Sequence, residues 1–241
     1  TSTLPITGLA KASKDDKNFI GLHFFSPVDK MPLVEIIKGQ NTSAETLAKA
    51  YDYVQQIGKT PIVVNDSRGF FTSRVFGTFV NEGLRLVAEG VHPARIEMAA
   101  LKAGMPVGPL AIQDEVALTL SEHVTNETRK ALQAEGKDLP HSPSEDVLKT
   151  MIHEFDRKGK ATGSGFYDYP ESGKKHLWDG LSHWNKNTDI SEQEMIDRFL
   201  FVQALDTLRC YEENVLESVV DANIGSIFGI GFAPWTGGAI Q

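Results

Sequence analysis

The sequence of 241 residues has a single cysteine, Cys210, and no long apolar run. One cysteine excludes an internal disulfide and a cysteine-based metal cluster, and it fits a reducing compartment. A transmembrane helix needs about 18 consecutive apolar residues, so the sequence predicts no membrane span. We therefore expect a cytoplasmic protein in which Cys210 is a buried apolar side chain.

Basic residues are also in short supply, with 24 Lys and Arg against 32 Asp and Glu and a formal net charge of −8. This balance disfavours nucleic acid or an anionic membrane as the main partner, although local basic groups could still bind a polyanionic small ligand. The seven histidines are scattered, and none lies three or four residues from His23. We therefore predict no metal site.

The first 65 residues have the pattern of the end of an α/β layer. Apolar segments at 19–25, 33–37 and 61–64 are predicted strands. A helix is predicted between the last two, because Thr42-Ser43-Ala44-Glu45 has the order of a capping box and Gly58 can end the helix. Three strands are too few for a complete layer, and no glycine-rich loop precedes them. We therefore expect the chain to begin within a domain.

Helical patterns dominate from Ser67 onward. The predicted helices cover 71–90, 93–103, 109–132 and 144–155. The segment from Arg157 to Tyr169 is expected to be a glycine-broken loop, and 170–190 a polar linker. We interpret the basic run Arg157-Lys158-Gly159-Lys160 and the side chains of Lys38 and Lys59 as solvated; the alternative is that they bind the phosphates of a ligand.

The end of the chain repeats part of the middle. At an offset of 124 residues, Arg74, Leu84, Arg85, Glu89 and Val91 match Arg198, Leu208, Arg209, Glu213 and Val215. The segment Met105–Pro109 also parallels Gly231–Pro234. We predict a mainly α protein with domains at 1–65, 66–170 and 190–241, the third being a truncated copy of the second.

His23 and Glu35 each lie at the end of a predicted strand. A buried carboxylate can hold an imidazole in one tautomer and stabilise its protonated form, which makes the histidine a usable general base near neutral pH. A single histidine in an apolar segment is more often a core residue bonded to backbone. The combination with Glu35 and Ser2, at the start of the chain, favours a catalytic role.

Six segments resemble L-3-hydroxyacyl-CoA dehydrogenase, and more closely the dehydrogenase part of the multifunctional α-subunit of the bacterial fatty-acid oxidation complex. They are Thr1-Ser2-Thr3-Leu4-Pro5-Ile6, His23-Phe24-Phe25-Ser26-Pro27, Pro32-Leu33-Val34-Glu35-Ile36-Ile37, Asp66-Ser67-Arg68-Gly69-Phe70-Phe71, Met105-Pro106-Val107-Gly108-Pro109 and Gly163-Ser164-Gly165-Phe166-Tyr167. The resemblance covers essentially the whole chain. It implies the C-terminal strands and helix of a Rossmann-type NAD-binding domain, followed by two related all-helical units.

The resemblance also implies a reaction, the NAD-dependent oxidation of L-3-hydroxyacyl-CoA to 3-oxoacyl-CoA in fatty-acid β-oxidation. It assigns His23 as the base that removes the proton of the 3-hydroxyl, Glu35 as its carboxylate partner, and Ser2 as a hydrogen-bond partner of the reacting oxygen close to the nicotinamide. Ser26 and Ser73 stand where the family commonly has asparagines that contact the cofactor and the substrate. The alternatives are that Ser26 is only a turn residue and Ser73 only a small helix residue.

No Gly-x-Gly-x-x-Gly motif occurs in the 241 residues. In dinucleotide-binding folds this motif holds the pyrophosphate at a helix N-terminus. We therefore expect the cofactor's phosphates and adenosine to be held by residues upstream of Thr1, within a bifunctional hydratase (a lyase) and dehydrogenase, and the chain alone to be inactive. The alternative is a non-catalytic helical module that forms a homodimer or docks a thiolase β-subunit.

Overall fold

The computed structural model describes residues 4–241, which divide into two compact units. One unit comprises 4–78 together with 200–241, and the other comprises 79–199. The helices hold far more residues than the five strands, as the sequence predicts. In this part of the chain, no helix is long and apolar enough to cross a lipid bilayer.

A three-stranded mixed sheet forms the centre of the first unit. Its strands are β1 (Ile20–Phe24), β2 (Leu33–Lys38) and β3 (Thr60–Asn65), in the order β1-β2-β3. Strand β2 is antiparallel to β1 and parallel to β3. Parallel neighbours need a crossover connection, which a helix at Ala44–Gln56 supplies with Ser43 as its N-cap. These elements confirm the strands and the helix that the sequence predicts.

The central strand β2 is buried on both faces. Val34 and Ile36 pack in the cluster that includes Val54 of the connecting helix. Leu33 and Ile37 point to the opposite face, into the larger cluster of the unit. Because side chains alternate along a strand, Glu35 shares the face of Leu33 and Ile37. A carboxylate is thereby placed inside an apolar core.

The remaining helices are α1 (Ile6–Ala10), α3 (Thr72–Ala88), α4 (Pro93–Ala103), α5 (Pro109–Val116), α6 (Leu118–Ala134), α7 (Pro143–Lys149), α8 (Glu192–Glu212) and α9 (Val219–Ile230), with α2 being Ala44–Gln56. A π-helical turn at Thr150–Glu154 follows α7. Helix α4 ends at Gly104, whose φ of 108° is left-handed, as the sequence predicts.

The C-terminal segment belongs to the same unit as the sheet. The backbone N–H of Asn65 donates to the carbonyl of Val215 at 2.9 Å. The Asp221 carboxylate of α9 accepts from the N–H of Val63 at 3.1 Å. Residues 200–241 therefore group with 4–78, a division different from the boundaries drawn on the sequence, which stay a prediction.

The single helix predicted over 109–132 is wrong, because the chain breaks at Ala117 with a φ of 74°. The N–H of Leu118 donates to the carbonyl of Lys158 at 3.0 Å, a contact between segments 40 residues apart. The spacing of apolar residues within 109–132 does not reveal such a contact. The helix is therefore interrupted by a tertiary interaction.

Replacing Ala117 with glycine is expected to raise the free energy of unfolding by up to about 1 kcal/mol. A left-handed conformation strains alanine but not glycine, and relief of strain outweighs the greater freedom of the unfolded chain. Urea denaturation followed by circular dichroism measures the change. Ala131→Gly, inside α6, is the matched control and should lower stability by about 1 kcal/mol. A lower free energy of unfolding in the Ala117→Gly variant would show that the backbone at Ala117 is not strained.

The loop and linker predicted over 157–190 are also partly wrong. A short hairpin pairs β4 (Tyr167–Asp168) with β5 (His176–Leu177). Arg157 is buried, donates to the carbonyl of Gly165 at 2.6 Å and to Asp168 at 2.6 Å, and lies 4.3 Å from the ring centre of Trp178. Its planar guanidinium can satisfy several acceptors at once, so it organises this segment and is not solvated.

Two arginines 124 residues apart, Arg74 and Arg198, make equivalent ion pairs. Arg74 binds Asp206 and Glu213, and Arg198 binds Glu82 and Glu89. The two carboxylates bound by Arg74 are themselves offset by 124 residues from the two bound by Arg198. These ion pairs thus follow the same offset of 124 residues as the sequence repeat.

Candidate active site

The register of the antiparallel pair β1–β2 places His23 directly opposite Glu35. Side chains of opposed residues project from the same face of a sheet and lie within contact distance. The Nδ1 of His23 and Oε2 of Glu35 are 2.8 Å apart, and because a carboxylate accepts, Nδ1–H donates. The structure thus brings together two residues that the sequence separates by twelve positions.

Glu35 is fully buried and accepts four hydrogen bonds. Its Oε1 accepts from the backbone N–H groups of Phe71 at 2.9 Å and Thr72 at 3.1 Å, at the N-terminus of α3. Its Oε2 accepts from the hydroxyl of Thr72 at 2.6 Å as well as from His23. The first N–H groups of a helix lack partners within the helix and carry partial positive charge. They compensate the cost of burying the carboxylate.

The imidazole of His23 is the one member of this network that reaches solvent, with 17% of its side chain exposed. Its ring centre lies 4.7 Å from that of Phe25 and 5.9 Å from that of Phe70. The proton on Nδ1 leaves Nε2 as an acceptor, and no group within residues 4–241 hydrogen-bonds Nε2. His23 therefore presents an unengaged proton acceptor beside aromatic side chains.

Two of the three other predicted site residues are among the described residues. Ser26 is exposed, two residues beyond β1, and Ser73 is half-buried in the first turn of α3. Within the described chain, neither serine hydrogen-bonds His23, and their assigned contacts stay predictions. Ser2 lies outside the described residues.

Sequence reasoning missed Thr72, which belongs to the site, and the hydrogen-bond partners of Lys59. A threonine that starts a helix is a common capping signal, but the carboxylate that Thr72 binds is 37 positions away. The Nζ of Lys59 donates to the carbonyls of Val28 and Met31 at 2.6 and 2.7 Å. The interpretation of Lys59 as solvated is therefore wrong, because it holds the loop that follows Ser26.

The geometry can be tested against the nicotinamide cofactor that the resemblance implies. The reacting carbon of this cofactor belongs to its nicotinamide ring. The ring of His23, with Phe25 and Phe70 beside it and Ser26 three residues further along the chain, is suited to lie next to that nicotinamide. Among the described residues, neither connection of the sheet carries the glycine motif for the pyrophosphate. The fit is thus confined to the reacting end of the cofactor.

A second buried polar cluster, in the unit 79–199, has a structural role. The Asp114 carboxylate accepts from the N–H groups of Phe166 and Tyr167 at 2.7 and 2.8 Å and from the hydroxyl of Tyr169 at 3.0 Å. Burial raises the pKa of Asp114, and these hydrogen bonds lower it in part. A Cβ at Gly165 would lie 2.0 Å from Asp114 Oδ1, so only glycine fits. This packing accounts for the motif Gly163–Tyr167.

No three His, Cys, Asp or Glu side chains within residues 4–241 are placed to hold a metal ion.

Comparison with known proteins identifies both parts of the chain. Residues 1–67 match the NAD binding domain of 3-hydroxyacyl-CoA dehydrogenase, and residues 69–169 match the C-terminal domain. Together these two matches cover more than two thirds of the sequence. They agree with the segments on which the resemblance rests.

Solved structures share the fold. The 3-hydroxybutyryl-CoA dehydrogenase of Escherichia coli K12 is 21% identical over 98% of this chain and 66% of its own, with a TM-score of 0.76. The (S)-3-hydroxybutyryl-CoA dehydrogenase of Ralstonia eutropha is 32% identical over 71% of this chain and 59% of its own, with a TM-score of 0.62. The dehydrogenase part of multifunctional enzyme 1 from C. elegans is 26% identical over 97% of this chain and 53% of its own, with a TM-score of 0.69.

This chain spans between about half and two thirds of the length of those three proteins. The two domain matches follow one another along the sequence in the order of a single enzyme. The chain therefore belongs to the 3-hydroxyacyl-CoA dehydrogenase family.

Proposed function

We propose that the enzyme carrying this chain oxidises L-3-hydroxyacyl-CoA to 3-oxoacyl-CoA with NAD+, as a step of fatty-acid β-oxidation. The observation that carries the proposal is the His23–Glu35 pair, in which a buried carboxylate fixes Nδ1–H and leaves Nε2 as an acceptor to which no residue of 4–241 donates. Membership of the dehydrogenase family supports it. The single cysteine is compatible with a reducing, cytoplasmic setting.

The reaction removes a hydride from C3 and a proton from the 3-hydroxyl. NAD+, when bound, accepts the hydride. Nε2 of His23 accepts the hydroxyl proton, and the negative charge of Glu35 stabilises the imidazolium that results. In the reverse direction the imidazolium returns the proton to the carbonyl oxygen. Phe25 and Phe70 border the ring and limit the access of water to it.

Three serines complete the proposed site. Ser2 hydrogen-bonds the reacting oxygen, Ser26 contacts the cofactor, and Ser73 contacts the substrate. The exposure of Ser26 and the partial exposure of Ser73 are compatible with ligand contacts. A serine hydroxyl can donate and accept but is shorter than the asparagine amide common in the family, so a bridging water is part of the proposal at both positions.

The test is turnover. The complete enzyme is mixed with NAD+ and 3-hydroxyacyl-CoA thioesters of several chain lengths, and NADH absorbance is followed. The L isomers are expected to react and the D isomers to be inert. The 241-residue chain alone is expected to show no turnover, because its sequence holds no pyrophosphate motif and hydride transfer requires a held nicotinamide. A complete enzyme without activity on any L thioester would refute the proposal.

We further propose that residues 190–241 are a second helical unit related to 66–170, within a bifunctional hydratase and dehydrogenase. The reciprocal ion pairs of Arg74 and Arg198 support the relation. The match to the dehydrogenase part of a multifunctional enzyme covers 97% of this chain, which supports the proposal that the chain belongs to a bifunctional enzyme. A second copy of the chain or a thiolase β-subunit is the partner that the resemblance implies, and analytical ultracentrifugation with and without the thiolase measures it.

If the two units are related copies, Arg74→Met and Arg198→Met are expected to destabilise the chain by similar amounts, about 1–3 kcal/mol each. Both arginines are largely buried, and the removal of either one takes an ion-pair partner from two carboxylates. Urea denaturation measures the change. Lys49→Met, which breaks an exposed pair with Glu45, is the control and should cost under about 0.5 kcal/mol. A large loss for one arginine and none for the other would contradict the equivalence.

A further inference from the structure

We propose that Thr72 is a positioning residue: its hydroxyl orients the Glu35 carboxylate, and through it fixes the tautomer of His23. The catalytic consequence rests on the proposed function, whereas the effect on the tautomer does not. Both the N–H and the hydroxyl of Thr72 donate to Glu35, and through Glu35 they act on His23.

The two oxygens of Glu35 have different partners. Oε1 accepts two backbone N–H groups, from Phe71 and Thr72, which attach the carboxylate to the end of α3. Oε2 accepts from two side chains, the Thr72 hydroxyl at 2.6 Å and His23 Nδ1–H at 2.8 Å. If only the two backbone N–H groups bound the carboxylate, Oε1 would be fixed but the carboxylate could still rotate about it. The Thr72 hydroxyl sets where the other oxygen points.

Burial makes this hydroxyl hard to replace. Glu35 and Thr72 are both fully buried, so bulk water cannot take over a lost hydrogen bond without a rearrangement. The methyl group of Thr72 lies close to Gly229 of α9, because a side chain at this position would begin 3.2 Å from Thr72 Cγ2. A β-branched side chain has few rotamers, and packing against α9 at this glycine selects one. The hydroxyl is thereby aimed at Oε2.

The tautomer of His23 depends on where Oε2 points. A neutral imidazole carries its proton on either nitrogen, and only the form with Nδ1–H leaves Nε2 able to accept a proton. A carboxylate oxygen in line with Nδ1 selects that form. If the carboxylate turns, Nδ1 loses its acceptor and the population with Nε2–H, which cannot act as a base, increases.

The experiment compares Thr72→Val, which keeps the shape and removes the donor, with Thr72→Ser, which keeps the donor. The ¹⁵N chemical shifts of the His23 ring in the 241-residue chain report the tautomer. We expect the wild-type and serine proteins to have an unprotonated Nε2 and the valine protein to have a mixture of tautomers. In the complete enzyme, Thr72→Val is expected to lower kcat about 10- to 100-fold with KM within about twofold, and serine to restore most of it.

Thr78→Val is the matched control. Thr78 lies on the same helix, and its hydroxyl donates to the carbonyl of Val75 and not to the carboxylate. It should leave the ¹⁵N shifts of His23 and kcat unchanged. Should Thr72→Val fail to fold, Thr72→Ala and Thr72→Ser form a second pair that differs only in the hydroxyl.

The proposal would be overturned if the wild-type and Thr72→Val proteins had equal tautomer populations of His23. Equal populations in the Thr72→Ala and Thr72→Ser proteins would overturn it in the same way. An altered tautomer in a complete enzyme whose wild-type form has no turnover would refute the proposed function and leave the positioning role intact. An altered tautomer with unchanged kcat would overturn the catalytic part of the inference. Each outcome therefore separates the role of Thr72 from the identity of the reaction.

Discussion

Replacing His23 with glutamine is expected to lower kcat of the complete enzyme about 10²- to 10⁴-fold, with KM little changed. Glutamine keeps a polar group of similar reach but cannot accept and return a proton near neutral pH. The change therefore removes the base and leaves the binding surface in place. NADH formation under saturating substrate measures the loss, and product formation in the reverse direction should fall in parallel.

His153 supplies the control for this experiment. It forms a pair with Glu122 at the same 2.8 Å, but 61% of its side chain is exposed. His153→Gln should leave kcat unchanged, because an exposed pair has neither the buried carboxylate nor the aromatic surroundings. A His23→Gln enzyme with wild-type turnover would show that another group takes the proton, and the proposed mechanism would be wrong.

Glu35→Gln is expected to lower both stability and activity, with a loss in the free energy of unfolding of about 2–4 kcal/mol. Four donors converge on the carboxylate, from His23, Thr72 and the N–H of Phe71. An amide has one oxygen and one NH₂. Turned toward α3, the NH₂ meets the N–H groups of Phe71 and Thr72; turned toward His23, it is satisfied only if the Thr72 hydroxyl reorients and the imidazole changes tautomer. Urea denaturation measures the loss of stability. The kcat is expected to fall about 10²-fold or more, because His23 loses the negative charge that stabilises its protonated form.

Glu45→Gln is the matched control for Glu35→Gln. Glu45 is exposed and pairs only with Lys49, four residues along α2. Its replacement should change the free energy of unfolding by less than about 0.5 kcal/mol and leave turnover intact. A Glu35→Gln protein as stable and as active as wild type would show that the buried carboxylate is dispensable.

Elements whose signals lie within a few residues could be predicted from the sequence. Gly104 after α4 lies where the sequence predicts it, and the N-cap of α2 is Ser43, one residue after the Thr42 that opens the predicted capping box. The strands were predicted because short, continuous apolar segments such as 33–37 suit a strand buried on both faces. The pairing of His23 with Glu35 was inferred from residue type and spacing, and the resemblance to a known family gave it a role.

Features decided by distant contacts could not be predicted. The break at Ala117 depends on a carbonyl 40 residues further along the chain. Arg157 has the composition of a solvated loop, yet the backbone of the hairpin provides its partners. No local pattern distinguishes such residues from exposed ones, because their environment consists of segments remote in sequence.

The sequence by itself determined the three strands of the first unit and the ends of several helices, and it singled out His23 and Glu35, since capping, periodicity and side-chain chemistry act locally. Only the tertiary structure decided that Glu35 would be buried at the N-terminus of α3 with Thr72 beside it. The physical reason is that a carboxylate in an apolar core is tolerated only where several donors converge. Those donors come from residues 36 and 37 positions away, which the fold alone brings within hydrogen-bond distance.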